Sequence, residues 1–285
     1  MAWRKNVNAT LRRFTGHELR RSTPTLSPGR SLNGSPQRSP RQSAQQSPQQ
    51  SPQGADPAAG PKFPADYDDS AKEIIRAVSP YTMTSPERLN ALILAVRHVS
   101  RHNIAGDIVE CGVWRGGSMQ AAARTLLSVG DTERHLYLFD TFEGMPEPTE
   151  KDLRRDGESA ADLLARQDRS RPIWAVATLE DVKEGFQQVP YPADRVHFVP
   201  GLVEETIPAE APERISILRL DTDWYASTRH ELEHLYPRLV SGGVLLIDDY
   251  GWWQGSRSAV DEFLEKTGAR LLLLRMDEGR IAVKP

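Results

Sequence analysis

The chain has 285 residues, a formal net charge of −3 and one cysteine, Cys111. That length supports one sizeable domain with an appendage, and a single thiol excludes an internal disulfide or a cysteine-built metal cluster. No run approaches the apolar length of a membrane span and no signal-peptide core is present, so a soluble cytoplasmic protein is expected.

Charge divides the chain. Residues 1–55 hold nine Lys or Arg against the single acid Glu18, about +8, which leaves about −11 on the remainder. Arg4 to Arg21 alternates basic residues with Val7, Leu11, Phe14 and Leu19. Such a segment reads as a foothold on an anionic membrane or nucleic acid, as an Arg-rich transit peptide, or as a solvated tail. So few apolar residues cannot hold a stable surface helix, which favours the solvated tail and no nucleic-acid partner. Ser27 to Gln53 is a loose Ser-Pro-Gln repeat with almost nothing to bury. A disordered basic tail is therefore expected over 1–60 and a folded domain over 61–285.

Beyond Pro61, apolar strands and amphipathic helices take turns, the pattern of an α/β fold with a mostly parallel sheet. A helix starts at Pro86 and turns Leu89, Ile93, Val96 and Val99 inward. A strand over Asp107 to Cys111 leads through a glycine turn to a helix over Ser118 to Leu127, and a second strand spans His135 to Phe139. Thr141 to about Ile173 is charged, irregular and too long for an ordinary connection, so it reads as a lid. A helix over Glu180 to Val189 precedes a strand over Val196 to Val199, and another strand follows over Ile215 to Leu220. A helix over Ser227 to Leu239 leads to a strand over Val244 to Ile247 and a helix over Arg257 to Lys266. The last elements are strands Arg270 to Leu274 and Arg280 to Val283 around the turn Asp277-Glu278-Gly279, placing one antiparallel strand in the sheet.

Two of these strands end in acids: Asp221-Thr222-Asp223 after Ile215 to Leu220, and Asp248-Asp249 after Val244 to Ile247. Each aspartate alone is an ordinary strand-end or cap residue. Four converging carboxylates repel one another, however, and a hard cation such as Mg²⁺ relieves that repulsion. Asp221 and Asp223 are two residues apart, which in an extended segment puts both side chains on one face.

The glycine turn runs Glu110-Cys111-Gly112-Val113-Trp114-Arg115-Gly116-Gly117-Ser118. Its spacing is neither that of a dinucleotide site nor that of a phosphate loop, and its helix N-terminus suits a carboxylate. Asp140 closes the next strand, where an acid can accept both hydroxyls of a ribose. Together they suggest a nucleoside cofactor without a bridging phosphate, a description that S-adenosylmethionine fits. Trp224, Trp252 and Trp253 read either as the floor of an acceptor pocket or as edge packing.

Four segments now carry a resemblance: Gly106 to Val113, Phe139 to Pro146, Leu220 to Asp223 with Tyr225 to Thr228, and Gly242 to Val244 through Ile247 to Tyr250. In this order the chain, from roughly Tyr67 to Pro285, resembles the macrocin O-methyltransferase family, whose members methylate sugar hydroxyls of macrolide and aminocoumarin antibiotics. The resemblance implies a class I methyltransferase (Rossmann-like) fold, S-adenosylmethionine as donor, a Mg²⁺ ion, and a small-molecule acceptor that is a glycosylated natural product. It implies Asp221, Asp248 and Asp249 as metal ligands and Asp223 as general base. It also places Glu110, Gly112, Gly116, Gly117 and Ser118 around the methionine part of the donor, Asp140 and Thr141 at its ribose, and Thr82 and Met83 over it. It leaves open which hydroxyl is methylated and whether the chain forms a homo-oligomer.

Three rival readings remain. A catalytically silent relative would bind a ligand or scaffold partners, but has no use for four converging acids. An oxidoreductase on the same sheet is disfavoured by the glycine spacing. His230-Glu231-Leu232-Glu233-His234 matches the H-E-x-x-H pattern of zinc proteases. No third ligand is evident for it, and a solvated helix face is expected there.

Overall fold

A computed structural model of the chain describes residues 63–285. The expected basic tail lies outside the described residues. The domain has eight α-helices among the described residues: α1 (Asp69–Val78), α2 (Pro86–Arg101), α3 (Gly117–Val129), α4 (Ala160–Ala165), α5 (Leu179–Phe186), α6 (Val203–Thr206), α7 (Tyr225–Leu235) and α8 (Gln254–Thr267). Seven strands accompany them: β1 (Asp107–Cys111), β2 (Leu136–Asp140), β3 (Val196–Pro200), β4 (Ile215–Leu220), β5 (Leu239–Ile247), β6 (Leu274–Met276) and β7 (Gly279–Val283).

The sheet runs β3-β2-β1-β4-β5-β7-β6. β1 to β5 are parallel, and β7 pairs antiparallel with both β5 and β6. Strand order reverses at β1, which pairs with β2 on one side and β4 on the other. In open α/β sheets that switch point opens a crevice at the carboxyl ends of the strands. The Cys111-Gly112 and Leu220-Asp221 junctions meet there.

Side chains alternate across the sheet, as the two-residue strand period requires. Ile108, Leu136, Leu138, Ile217, Val244 and Leu246 join one core, which packs on α2, α3 and α5. Val109, Cys111, Phe139, Leu218, Leu220, Leu245 and Ile247 join the other, which packs on α7 and α8. Cys111 is thus a core residue, fully buried. Both faces are covered by helices, so all six residues of β4 are buried, Ser216 and Arg219 among them.

Several boundaries differ from the sequence expectation. α1 was not anticipated; Asp68 caps it, accepting from the Ala71 amide at 2.8 Å, and it buries Ile74, Ile75 and Val78. α7 stops at Leu235, because Pro237 tightens the chain into a short 3₁₀ turn and β5 already begins at Leu239. The expected strand over Arg270 to Leu274 is instead Leu274–Met276. Met276 pairs with Gly279 around the turn residues Asp277 and Glu278, and that turn fixes the hairpin register.

No described helix is long and apolar enough to cross a membrane.

Candidate active site

At the switch point lies a cleft of about 590 Å³. Gly112, Ser118, Asp140, Thr141, Thr82 and Met83 line it together with Asp221, Asp223, Asp248, Asp249 and Trp252. Residues drawn from β1, β2, β4 and β5 therefore meet in one space.

Gly112 lets the ends of β1 and β4 lie close together. Its φ is +81°, and a Cβ there would overlap the Asp221 carbonyl group, 2.6 Å from its carbon. The Asp221 amide donates to the Cys111 carbonyl at 2.8 Å, so β1 and β4 stay in contact as they enter the site. Gly112→Ala combines overlap with a left-handed backbone. It is expected to lower stability by about 1–3 kcal/mol, read as a drop in the unfolding midpoint.

Gly116 and Gly117 do not line the cleft. A Cβ on Gly116 would meet Val182 and Phe186, and one on Gly117 would meet the Tyr81 carbonyl and Thr82. Their small size serves packing: Gly117 lets the strap carrying Thr82 and Met83 lie against the start of α3. Asp140 borders the cleft, yet its oxygens accept backbone amides from Val113 (2.7 Å), Trp114 (3.0 Å) and Phe142 (2.7 Å). It thereby holds the glycine turn in shape.

On the acidic side, one carboxylate oxygen from each of Asp221, Asp248 and Asp249 lies within 4.8 Å of the other two. Burial, and then the neighbouring acids, push the carboxyls of Asp221 and Asp249 well above the ordinary range. Asp223 is pushed up to about 7, first by burial. It does not sit on an extended continuation of β4, as the two-residue spacing suggested. Its φ is +67°, and its amide donates to Asp249 Oδ2 at 3.3 Å. A left-handed turn, not strand alternation, brings it to the cluster.

Two cations missed by sequence reasoning organise these acids. Arg219 lies in β4, 2% exposed, directly opposite Glu110 on β1. Its guanidinium pairs with Glu110, with Asp221 at 2.7 Å and with Asp248 at 2.5 Å, and donates to Thr84 Oγ1 at 3.0 Å. Arg88, from α2, pairs with the other oxygen of Asp248. Glu110 is therefore not at the cleft surface; it is a buried counter-ion, pushed up to about 7 by burial against the pull of Arg219. The signal was present: an arginine in an otherwise apolar buried strand demands a charged partner.

Five carboxyls (Glu110, Asp221, Asp223, Asp248, Asp249) thus face two guanidiniums. The excess negative charge, the all-oxygen donor set and the convergence of three carboxylates fit a hard divalent cation.

The insertion expected as a lid is docked. Asp152 is fully buried. It accepts from Thr149 N (2.7 Å) and Oγ1 (2.8 Å) and, across the chain, from Tyr225 N (2.7 Å). α7 has no capping side chain of its own, so this carboxylate serves as its cap and satisfies an orphan amide. Arg154 bridges to Trp253, extending the contact. Under this insertion Trp224 and Trp253 meet edge to face, 5.0 Å apart, with Leu163 and Leu164 in a small core. They are packing residues. Trp252 alone of the three faces the cleft, with Arg155 over its ring at 4.5 Å.

The H-E-x-x-H motif is dismantled by its surroundings. His230 Nε2 is bonded to the Ile207 carbonyl at 3.0 Å and His234 is exposed. Contrary to the expected solvated face, Glu231 is fully buried. The helix turns that position toward the core under the acidic loop.

Comparison with known proteins agrees with this geometry. The macrocin-O-methyltransferase family profile matches residues 34–283. A tetracenomycin rhamnosyl 4'-O-methyltransferase from Streptomyces olivaceus is 38% identical over 188 residues, 66% of this chain and 69% of that protein. The mycinamicin III 3''-O-methyltransferase of Micromonospora griseorubida is 32% identical over 197 residues, 69% of this chain and 75% of that protein. Among solved structures, the O-methyltransferase NovP superposes with a TM-score of 0.63 at 30% identity, covering 72% of this chain and 82% of NovP. Fold, motif order and similarity thus converge: the chain belongs to the macrocin O-methyltransferase family and is a methyltransferase of the class I fold.

Proposed function

We propose that the chain transfers a methyl group from S-adenosylmethionine to a sugar hydroxyl of a glycosylated natural product. Asp221, Asp248 and Asp249 would hold a Mg²⁺ ion and Asp223 would act as general base. Since the donor is a cytoplasmic metabolite, the activity is proposed to lie there. The observation that carries this reading is the convergence of three aspartates within 4.8 Å in the cleft that the glycine turn also lines. The named relatives act on a rhamnosylated tetracenomycin and on mycinamicin III, which supports a sugar acceptor here.

When bound, S-adenosylmethionine supplies an electrophilic methyl, and Mg²⁺ supplies a positive charge that acidifies a hydroxyl and fixes its orientation. The chain's own residues do the rest. Arg219 and Arg88 bond one oxygen of Asp221 and both of Asp248, fixing those carboxylates in the way outer partners orient metal ligands. Asp140 and Gly112 hold the turn that would receive the donor's methionine part. Asp223 would accept the hydroxyl proton as the acceptor oxygen took the methyl group from the donor's sulfur. Burial pushes the Asp223 carboxyl up to about 7 in the ion-free chain, and a neighbouring cation would lower it and leave the carboxylate ready to accept a proton. Trp252 offers an indole face at the acceptor side.

The test is transfer of label. Full-length chain, methyl-labelled S-adenosylmethionine and a set of rhamnosylated and other deoxysugar glycosides are expected to give a product labelled on the sugar, located by mass spectrometry. Label found only on aglycone hydroxyls would overturn the sugar assignment.

A further inference from the structure

Glu231 belongs to no step above, yet it is fully buried. One oxygen, Oε1, is joined to the Thr222 hydroxyl at 2.8 Å. The other, Oε2, is buried without a partner among the described residues. A carboxyl in that setting costs stability, since a buried polar atom left unpaired forfeits its hydration. An apolar side chain would pack beside Leu232 and Leu235 on the same helix without that cost. Among the described residues, the one hydrogen bond the carboxyl makes is with Thr222.

Thr222 stands between Asp221 and Asp223. That segment must do two things at once: carry Asp221 into the acidic cluster and turn through the left-handed φ of +67° at Asp223. A non-glycine residue keeps such a conformation only where its surroundings over-determine it. The backbone bonds on either side are Asp221 N to Cys111 O and Trp224 N to Thr222 O, each 2.8 Å. The Asp223 amide reaches Asp249 only at 3.3 Å. Two side-chain bonds tie this segment's middle to the body of α7, the short one from the Thr222 hydroxyl to Glu231 at 2.8 Å and a long one from Ser227 Oγ to the Thr222 carbonyl at 3.5 Å.

We infer that Glu231 is a positioning residue for the acidic site: through Thr222 it fixes the Asp221–Asp223 loop against Asp248 and Asp249. The inference rests on the metal reading proposed above. The histidine-flanked glutamate that looks like a protease base is, in this fold, the underside support of a different site.

The experiment uses the full-length protein with Mn²⁺ as probe, its affinity read by electron paramagnetic resonance, and S-adenosylhomocysteine affinity measured in parallel by calorimetry. Thr222→Val keeps the shape of the side chain and removes only the hydroxyl; Glu231→Leu removes the acceptor; Glu231→Gln keeps an oxygen for the hydroxyl. Thr222→Val and Glu231→Leu are each expected to weaken Mn²⁺ binding by about 10-fold or more, the usual effect of losing an outer partner of a metal site. S-adenosylhomocysteine affinity is expected to stay within about twofold, because the turn that would receive it is held by Asp140 through the Val113 and Trp114 amides, and Glu231→Gln is expected to restore most of the Mn²⁺ affinity. The double variant Thr222→Val/Glu231→Leu is expected to be no weaker than either single one, since both remove the same bond. Unchanged Mn²⁺ affinity in Thr222→Val and Glu231→Leu, beside a wild-type chain that binds, overturns the positioning role alone. Parallel loss of S-adenosylhomocysteine binding, or failure of Glu231→Gln to restore affinity, also overturns it. A wild-type chain that binds no Mn²⁺ overturns the metal reading, and the positioning role with it.

Discussion

Removal of divalent cations with EDTA is expected to lower methyl transfer by at least about 10³-fold, the several kcal/mol that a Lewis acid contributes at a reacting oxygen. Binding of S-adenosylhomocysteine is expected to survive, because the glycine turn that would receive it is held by Asp140 through the Val113 and Trp114 amides and not by the ion. The informative ligand variant is Asp249→Asn. Asp248→Ala would strip both Arg88 and Arg219 of a partner, and a loss of activity there would be indistinguishable from buried charges left uncompensated. Stability gives an independent reading. Carboxyls raised in the folded protein take up protons on folding, so they penalise the native state once the pH passes their unfolded value, and the penalty grows until the folded value is reached. Burial places Asp223 at about 7 and Glu231 at about 8, and raises Asp221 and Asp249 as well. The unfolding midpoint of the EDTA-treated chain is therefore expected to fall between about pH 4 and pH 8. The rise produced by Mg²⁺ is expected to be larger at pH 8 than at pH 6. Full activity in EDTA with no thermal response to Mg²⁺ would remove the metal from the mechanism.

The parallel sheet was legible because its strands, buried on both faces, are short apolar runs punctuated by Gly112, Asp140, Asp221 and Asp248, residues that mark strand ends. The acidic half of the cleft was legible for the same reason, since strand ends of a parallel sheet converge on one side. Arg219 and Arg88 were not. One was read as part of an apolar strand, the other as part of a helix surface, and the partners that give them meaning include Glu110 on β1 and Asp248 after β5, far away in sequence. The docking of the insertion was illegible for a similar reason. Asp152 sits in a charged stretch that looks solvated, and only the tertiary fold brings it to the open end of α7. Glu231 shows the limit of motif reading: the pattern around it was visible, but whether the position faced solvent or core depended on how α7 rolls onto the sheet.

Asp223→Asn and Asp221→Asn are expected to fail in different ways, although the two residues are separated only by Thr222. Asparagine is the apt replacement at 223 because it tolerates the left-handed backbone that the loop requires, keeps the size of the side chain and cannot take up a proton. Turnover is expected to fall by roughly two to four orders of magnitude, the contribution of a positioned base, with Mg²⁺ and donor affinities close to wild type. At 221 the carboxylate both belongs to the three-aspartate cluster and pairs with Arg219 at 2.7 Å. Its neutral replacement is expected to weaken Mg²⁺ binding, so that raising the Mg²⁺ concentration recovers part of the rate. A Mg²⁺ titration of initial rates therefore separates the roles: the 221 variant climbs with added ion, and the 223 variant reaches a low plateau at the wild-type concentration. Recovery of Asp223→Asn by added Mg²⁺, with none for Asp221→Asn, would exchange the two assignments. It would make Asp223 the ligand and leave the proton to Asp221, whose carboxyl Arg219 already holds from the opposite side.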